Sequence, residues 1–263
     1  MALPLFLIDA FTGEPFAGNP AAVVLLDQPK EDRWMQAVAA ELRQAETAFL
    51  RRRDDGYDLR WFTPEVEIDL CGHATLASAH MLWEEGHQGQ EVAARFHTRS
   101  GLLTASRNDG WITLDFPATP PAPCEEPSGL LRALGLGAGR VLRSRFDYLV
   151  AVEDPAEVRR LAPDLRALRE IPSRGVIVTA RSDRQDADFL SRFFGPQCGV
   201  DEDPVTGSAH CALAPYWAAQ LGRKSLIGYQ ASPRGGHVRV EDRGDRVLLS
   251  GKAITTLRGT LLA

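Results

Sequence analysis

Short apolar runs and polar turns alternate along the first half of the chain. PLFLIDAF and AAVVLLD predict strands on either side of the turn-rich TGEPFAGNP. EDRWMQAVAAEL changes period: Trp34, Met35, Val38, Ala39 and Leu42 recur at helical spacing. ETAFLRR and YDLRWFT return to the strand pattern. HATLASAHMLWEEG then predicts a helix that stops at Gly86, glycine being favoured just past a helix end. VAARFHT, LLTASR and WITLDF follow as strands, the last two joined through Asn108-Asp109-Gly110, a hairpin signal.

FPATPPAPCEEPSG, residues 116–129, holds five prolines without periodicity and reads as a linker. After it the order recurs. SRFDYLVAV predicts a strand, and PAEVRRLAPDLRALRE a helix interrupted at Pro163. RGVIVTA and ADFLSRFF are strands, SAHCALAPYWAAQLG is a helix ending at Gly222, and LIGYQA, GHVRVE and RVLLS are strands. EIDLCGHATLASA (67–79) overlays EDPVTGSAHCALA (202–214) at one constant offset, matching Glu67 to Glu202 and Gly72 to Gly207. The pattern therefore predicts two similar α+β domains, 1–117 and 130–251, joined by the linker 118–129. The last strand, about 252–263, returns to the first domain. A small-molecule site is expected in a cleft between the domains.

Composition narrows the function. The 263 residues carry a net charge of -5 with no block of like charges, which argues against nucleic acid. No apolar run approaches a membrane span, and the brief apolar start MALPLFLIDAF meets Asp9 without a basic leader. The four cysteines are scattered in a chain long enough to need no staples, as expected in a reducing compartment. A cytoplasmic protein with no membrane partner is the expectation.

Candidate chemistry concentrates at the two helix starts, Gly72-His73-Ala74-Thr75 and Gly207-Ser208-Ala209-His210. A helix N-terminus leaves N–H groups unpaired and carries partial positive charge, and glycine admits a ligand close to the backbone. Two such ends facing one cleft would hold a carboxylate or phosphate. The alternative is that Gly72 and Gly207 only shape turns before alanine-rich helices. Cys71 beside His73 suggests a nucleophile, though a cysteine in such a turn is more often inert. Cys71, His73 and His80 fit no standard zinc spacing and no CxxC occurs, so no metal is expected. GLGAGR (135–140) lacks a full dinucleotide fingerprint and precedes a strand, so no nucleotide cofactor is expected either. Glu46 opens a strand, where a solvated carboxylate is the simpler reading. Pointed into a closed cleft it would become a proton carrier. Asp203 is either a turn residue or a site carboxylate.

DAFTGEPFAGNPAAVV, ETAFL, LRWFTPEVEIDLCGHATLASAH and EDPVTGSAHCALAPYW together resemble the PhzF-like (phenazine biosynthesis-like) isomerase and epimerase family, across essentially the whole chain. The resemblance implies the diaminopimelate-epimerase fold: two pseudo-symmetric domains, each a curled sheet around a central helix. It implies cofactor-free proton transfer within a small carboxylate-bearing substrate, in a homodimer. Glu46 would be the general acid/base, with His73 and Asp203 assisting. Asn19, Gly72, Ala74, Thr206, Gly207 and Ser208 would bind substrate. Related epimerases and racemases of this fold use a thiol at each central helix. Here Cys71 keeps one position and Thr206 stands at the other, which argues against a two-thiol racemase. Competing readings are a non-catalytic small-molecule binder of the same fold and a cysteine-dependent hydrolase.

Overall fold

The computed structural model describes residues 2–262, which fall into two compact units. One runs through Asp115 and takes back the stretch from Ser250 onward. The other is the continuous segment Phe116–Leu249.

In the first unit, β1 (Ala2–Ala10) and β2 (Asn19–Leu26) pair antiparallel, with Ala10 opposite Asn19. The helix α1 (Asp32–Leu42) carries the chain across to β3 (Glu46–Arg53), parallel to β2 with Ala21 beside Glu46. β4 (Gly56–Phe62) returns antiparallel, and the two-residue β5 (Glu67–Ile68) pairs with it. After α2 (Gly72–Glu84), β6 (Ala94–Thr98) lies parallel to β4, followed antiparallel by β7 (Gly101–Asn108) and β8 (Trp111–Pro117). Asp109 and Gly110 both have positive φ between β7 and β8, the geometry the Asn-Asp-Gly signal predicts. On the other side of β1 lies β18 (Ala253–Leu262), antiparallel to it.

The second unit repeats this plan. It opens with β9 (Ala122–Pro123), then a short helix α3 (Leu130–Leu134) and β10 (Arg140–Arg143), which pairs antiparallel with β9 and with β11 (Asp147–Ala151). The segment predicted as one helix interrupted at Pro163 is two, α4 (Pro155–Arg160) and α5 (Leu165–Arg169), each started by an aspartate, Asp154 or Asp164, whose carboxylate accepts backbone N–H groups. β12 (Gly175–Arg181) is parallel to β11, and β13 (Phe189–Gly195) antiparallel to β12. The short β14 (Val200–Asp203) pairs with β13, as β5 does with β4. After α6 (Gly207–Leu221) comes β15 (Ser225–Gln230), parallel to β13. β16 (Gly236–Asp242) is antiparallel to β15, and β17 (Arg246–Gly251) follows.

Both units thus share one strand order and one pattern of directions, as the repeat predicts. The overlaid glutamates do the same work in each: Glu67 accepts the paired hydrogen bonds of Arg60 on β4, and Glu202 those of Arg192 on β13. Gly72 and Gly207 each open a central helix, and Cys71 and Thr206 are the residues before them.

The central helices are buried on nearly every side. In α2, all residues from His73 to Ala79 and Met81 to Trp83 are buried, and the helix packs on β1, β2, β3, β7 and β18. An amphipathic pattern would fail there, since water reaches α2 only at Gly72, His80 and Glu84. α1 is different: Met35, Val38 and Ala39 form one apolar stripe against Leu3, Val24, Phe49 and Phe62. In the second unit α3, α4 and α5 supply the corresponding layer, with Leu130, Val158 and Leu168 packed against Val150, Val176 and Val178.

Five short elements escaped the pattern, the strands β5, β9, β10 and β14 and the helix α3, each too brief to show a period. The proline-rich segment is also more tied down than a linker. α6 runs unbroken through Pro215, which has no N–H to give the carbonyl of Cys211 four residues back. That carbonyl instead accepts the Thr119 N–H at 3.0 Å.

Candidate active site

β2 and β3 run parallel, so their first residues project from the same end of the sheet. Asn19 opens β2 and Glu46 opens β3. The turn Asp69-Leu70-Cys71 then brings the start of α2 to that end, carrying His73 on its first turn. Gly18, before Asn19, has φ +65° and a Cβ there would sit 2.2 Å from the Ala10 carbonyl oxygen, so the turn requires glycine.

These elements gather four side chains. His73 Nε2 lies 3.2 Å from Glu46 Oε2. On the other ring edge, Nδ1 is 3.3 Å from Asn19 Nδ2 and 3.6 Å from Cys71 Sγ. Asn19 is fully buried, His73 and Cys71 are 6% exposed, and the Glu46 side chain is 16% exposed. Glu46 is therefore not the solvated strand-edge carboxylate of the simpler reading. Glu46 Oε2 and His73 Nε2 face each other but are not aligned for a conventional hydrogen bond, and both are sealed from solvent.

Charge in the cluster is set by proximity. Burial opposes a positive imidazole, but the negative charges that Cys71 and Glu46 can carry outweigh it and raise His73 well above the ordinary histidine range. Burial and then Glu46 push the Cys71 thiol up, against His73. Cys71 is thus a thiol near neutral pH. Gly72 and Ala74 lie on the same helix start, whose N-cap residue makes no side-chain cap bond.

In the second unit, Asp203 and Thr206 come together at the start of α6. The Thr206 hydroxyl donates to Asp203 Oδ2 at 2.6 Å. Gln230, at the end of β15 and fully buried, accepts the Thr206 N–H at 2.8 Å and donates to the Asp203 carbonyl at 2.7 Å. From the helix side, the buried His210 ring bonds the Thr206 carbonyl through Nδ1 at 2.8 Å. Burial pushes His210 down to about 4, the backbone bond opposing, so it is neutral and Nδ1 carries the proton. Ser208 does not join this group. Its hydroxyl accepts from Arg174 at 3.0 Å, and Arg174 forks onto the buried Asp147. Gly207, like Gly72, opens an uncapped helix.

Gln230, His210 and Arg174 were not among the sequence candidates. Gln230 reads as one more residue of a strand and Arg174 as a surface charge before another. His210 was visible in the motif but had no partner to recommend it.

The sequence matches the family described as "Phenazine biosynthesis-like protein" over residues 8–259. The chain belongs to that family. An uncharacterized isomerase of Halalkalibacterium halodurans is 49% identical over 263 residues, covering 100% of this chain and 99% of the relative. The crystal structure of a phenazine biosynthesis (PhzF) family protein of Enterococcus faecalis superposes with a TM-score of 0.96 at 39% identity, covering 100% of both chains. A hydroxyproline epimerase from Agrobacterium vitis, 13% identical with a TM-score of 0.64 over 99% of this chain and 92% of its own, shares the fold alone. The expected family and the two-domain epimerase-like fold hold, and the expectation of an isomerase stands on relatives that carry that name along the full length. Among the described residues no helix is long and apolar enough to cross a membrane.

Proposed function

We propose that the protein is a cofactor-independent isomerase that moves a proton within a small carboxylate-bearing substrate, with Glu46 as the carrier. The observation that supports this best is the buried Glu46–His73 pair, 3.2 Å apart beside an uncapped helix start. Removing a proton from carbon next to a carboxylate builds negative charge on the substrate. N–H groups of Gly72, His73 and Ala74 would receive that charge without reorganising. Glu46 takes the proton from one carbon and returns it to another on the same face of the substrate. His73, 3.2 Å away, keeps the protonated Glu46 carboxyl group in place between the two transfers. In the second unit the same reading gives Asp203 a supporting role in proton transfer and Thr206, Gly207 and Ser208 a role in substrate binding. That part rests on the family pattern, not on a distance to Glu46.

Epimerisation is the second reading, because the fold is shared with an epimerase. Inverting a stereocentre calls for a second acid on the opposite face, and the start of α6 offers Thr206 where α2 has Cys71. Isomerisation is favoured for that reason.

The test is solvent exchange. Candidate dihydroaromatic acids and amino acids are incubated with the protein in D2O and followed by proton NMR. Wild type should introduce deuterium at a substrate carbon, and Glu46→Gln should not. Equal exchange by both proteins would remove Glu46 from the chemistry.

A further inference from the structure

Glu46, Cys71 and His73 form more than a proton-transfer pair. One donor atom from each lies within 4.8 Å of the other two. The sequence spacing hid this set, because the third donor comes from β3 and not from the helix. Tetrahedral zinc, with Zn–S near 2.3 Å and Zn–N near 2.1 Å, places its sulfur and nitrogen about 3.6 Å apart. Cys71 Sγ and His73 Nδ1 are 3.6 Å apart. Two buried polar atoms of the cluster, Glu46 Oε2 and His73 Nε2, have no aligned hydrogen bond. A thiol, an imidazole and a carboxylate are also a donor set that suits a borderline-soft cation and leaves one position for water.

We propose that Glu46, Cys71 and His73 bind a thiophilic divalent cation of the zinc class, and that the bound ion closes the proton-transfer site. Cys71 Sγ and His73 Nδ1 make the first two bonds and a Glu46 oxygen the third. Binding forms metal–thiolate, metal–imidazole and metal–carboxylate bonds in place of three metal–water bonds, and His73 Nδ1 exchanges its contacts with Asn19 Nδ2 and Cys71 Sγ for the ion. The S–H proton of Cys71 and the proton of the charged His73 pass to solvent, and nothing is oxidised or reduced. Affinity therefore rises with pH. The block of activity rests on Glu46 being the proton carrier, whereas the binding does not.

The test is run on the full chain without substrate, so it stands apart from the isomerase reading. Exposed Cys124 and Cys198 are first replaced by serine to remove other thiolate sites; Cys211 is buried. The chelator-treated protein is titrated with Zn2+, and with Co2+ as the spectroscopic probe. One equivalent is expected to bind, with a sulfur-to-cobalt charge-transfer band and release of protons in weak buffer. Cys71→Ser should lose the band and bind at least about tenfold more weakly, the loss that removal of even an outer-shell partner can bring. Circular dichroism on Cys71→Ser shows that the variant is folded. If wild type binds no stoichiometric metal, or binds Co2+ without the thiolate band, or if folded Cys71→Ser binds as tightly, the proposal is overturned.

Discussion

Gln230 holds Thr206 at both its backbone and its side chain, accepting the N–H at 2.8 Å and donating to the hydroxyl at 3.1 Å. The same amide donates to the Asp203 carbonyl, so a single buried side chain fixes the whole turn before α6. Gln230→Leu fills the space but leaves the buried Thr206 N–H without a partner. A loss of about 1–3 kcal/mol in urea unfolding is expected, the cost of an unsatisfied buried group. Unchanged stability would mean that the turn holds itself.

His73 should set the alkaline limit of both activity and stability. Its pKa is raised in the folded protein, so the charged form persists through neutrality. The stability gained from its charge is complete below the unfolded histidine value, about 6.5, and is lost as pH rises through the folded value. A kcat profile should fall on its alkaline side as His73 loses its proton. His73→Asn should lower kcat by about 100-fold or more and remove that limb. A variant that keeps the wild-type limb would assign it to another group.

His210 should act in the opposite direction. An unfolded chain protonates histidine near 6.5, while burial holds His210 neutral down to about 4. Between those values the unfolded state binds more protons, so stability falls as pH falls, by about 3 kcal/mol in all. Chemical denaturation from pH 7 to pH 4 on wild type and His210→Gln should show a shallower slope in the variant. Parallel slopes would place the acid sensitivity elsewhere.

Thr119→Pro tests the bond that completes α6. The substitution removes the N–H that the Cys211 carbonyl receives in place of the one Pro215 lacks. A decrease of about 1–3 kcal/mol in thermal or urea unfolding is expected. Thr119→Ala, which keeps the N–H, should be near neutral.

The fold was legible because its repeat is written twice in hydrophobic period and punctuated alike. Gly72 and Gly207 marked both central helices, and Asn108-Asp109-Gly110 marked a hairpin. The clustered site was only half legible. Glu46 and His73 stood in recognisable motifs, but that they meet depends on the parallel register of β2 and β3, which no local pattern encodes. Cys71 had looked like a spectator, and its thiol is indeed uncharged near neutrality. Its sulfur is nonetheless 3.6 Å from the ring of His73. Gln230 was invisible for a related reason. A buried polar side chain is recognised by what it bonds, and its partners lie more than twenty residues away.

The pairing of β1 with β18 also bears on the order of assembly. Residues 116–249 are contiguous, so that unit is complete without β18. The unit that carries Glu46 and His73 has every one of its catalytic candidates synthesised early, yet β1 keeps an open edge until residues 253–262 arrive. The unit that holds the proposed proton carrier is thus stitched from two stretches far apart in sequence, and a change in β18 would reach the scaffold of Glu46 through β1 and β2.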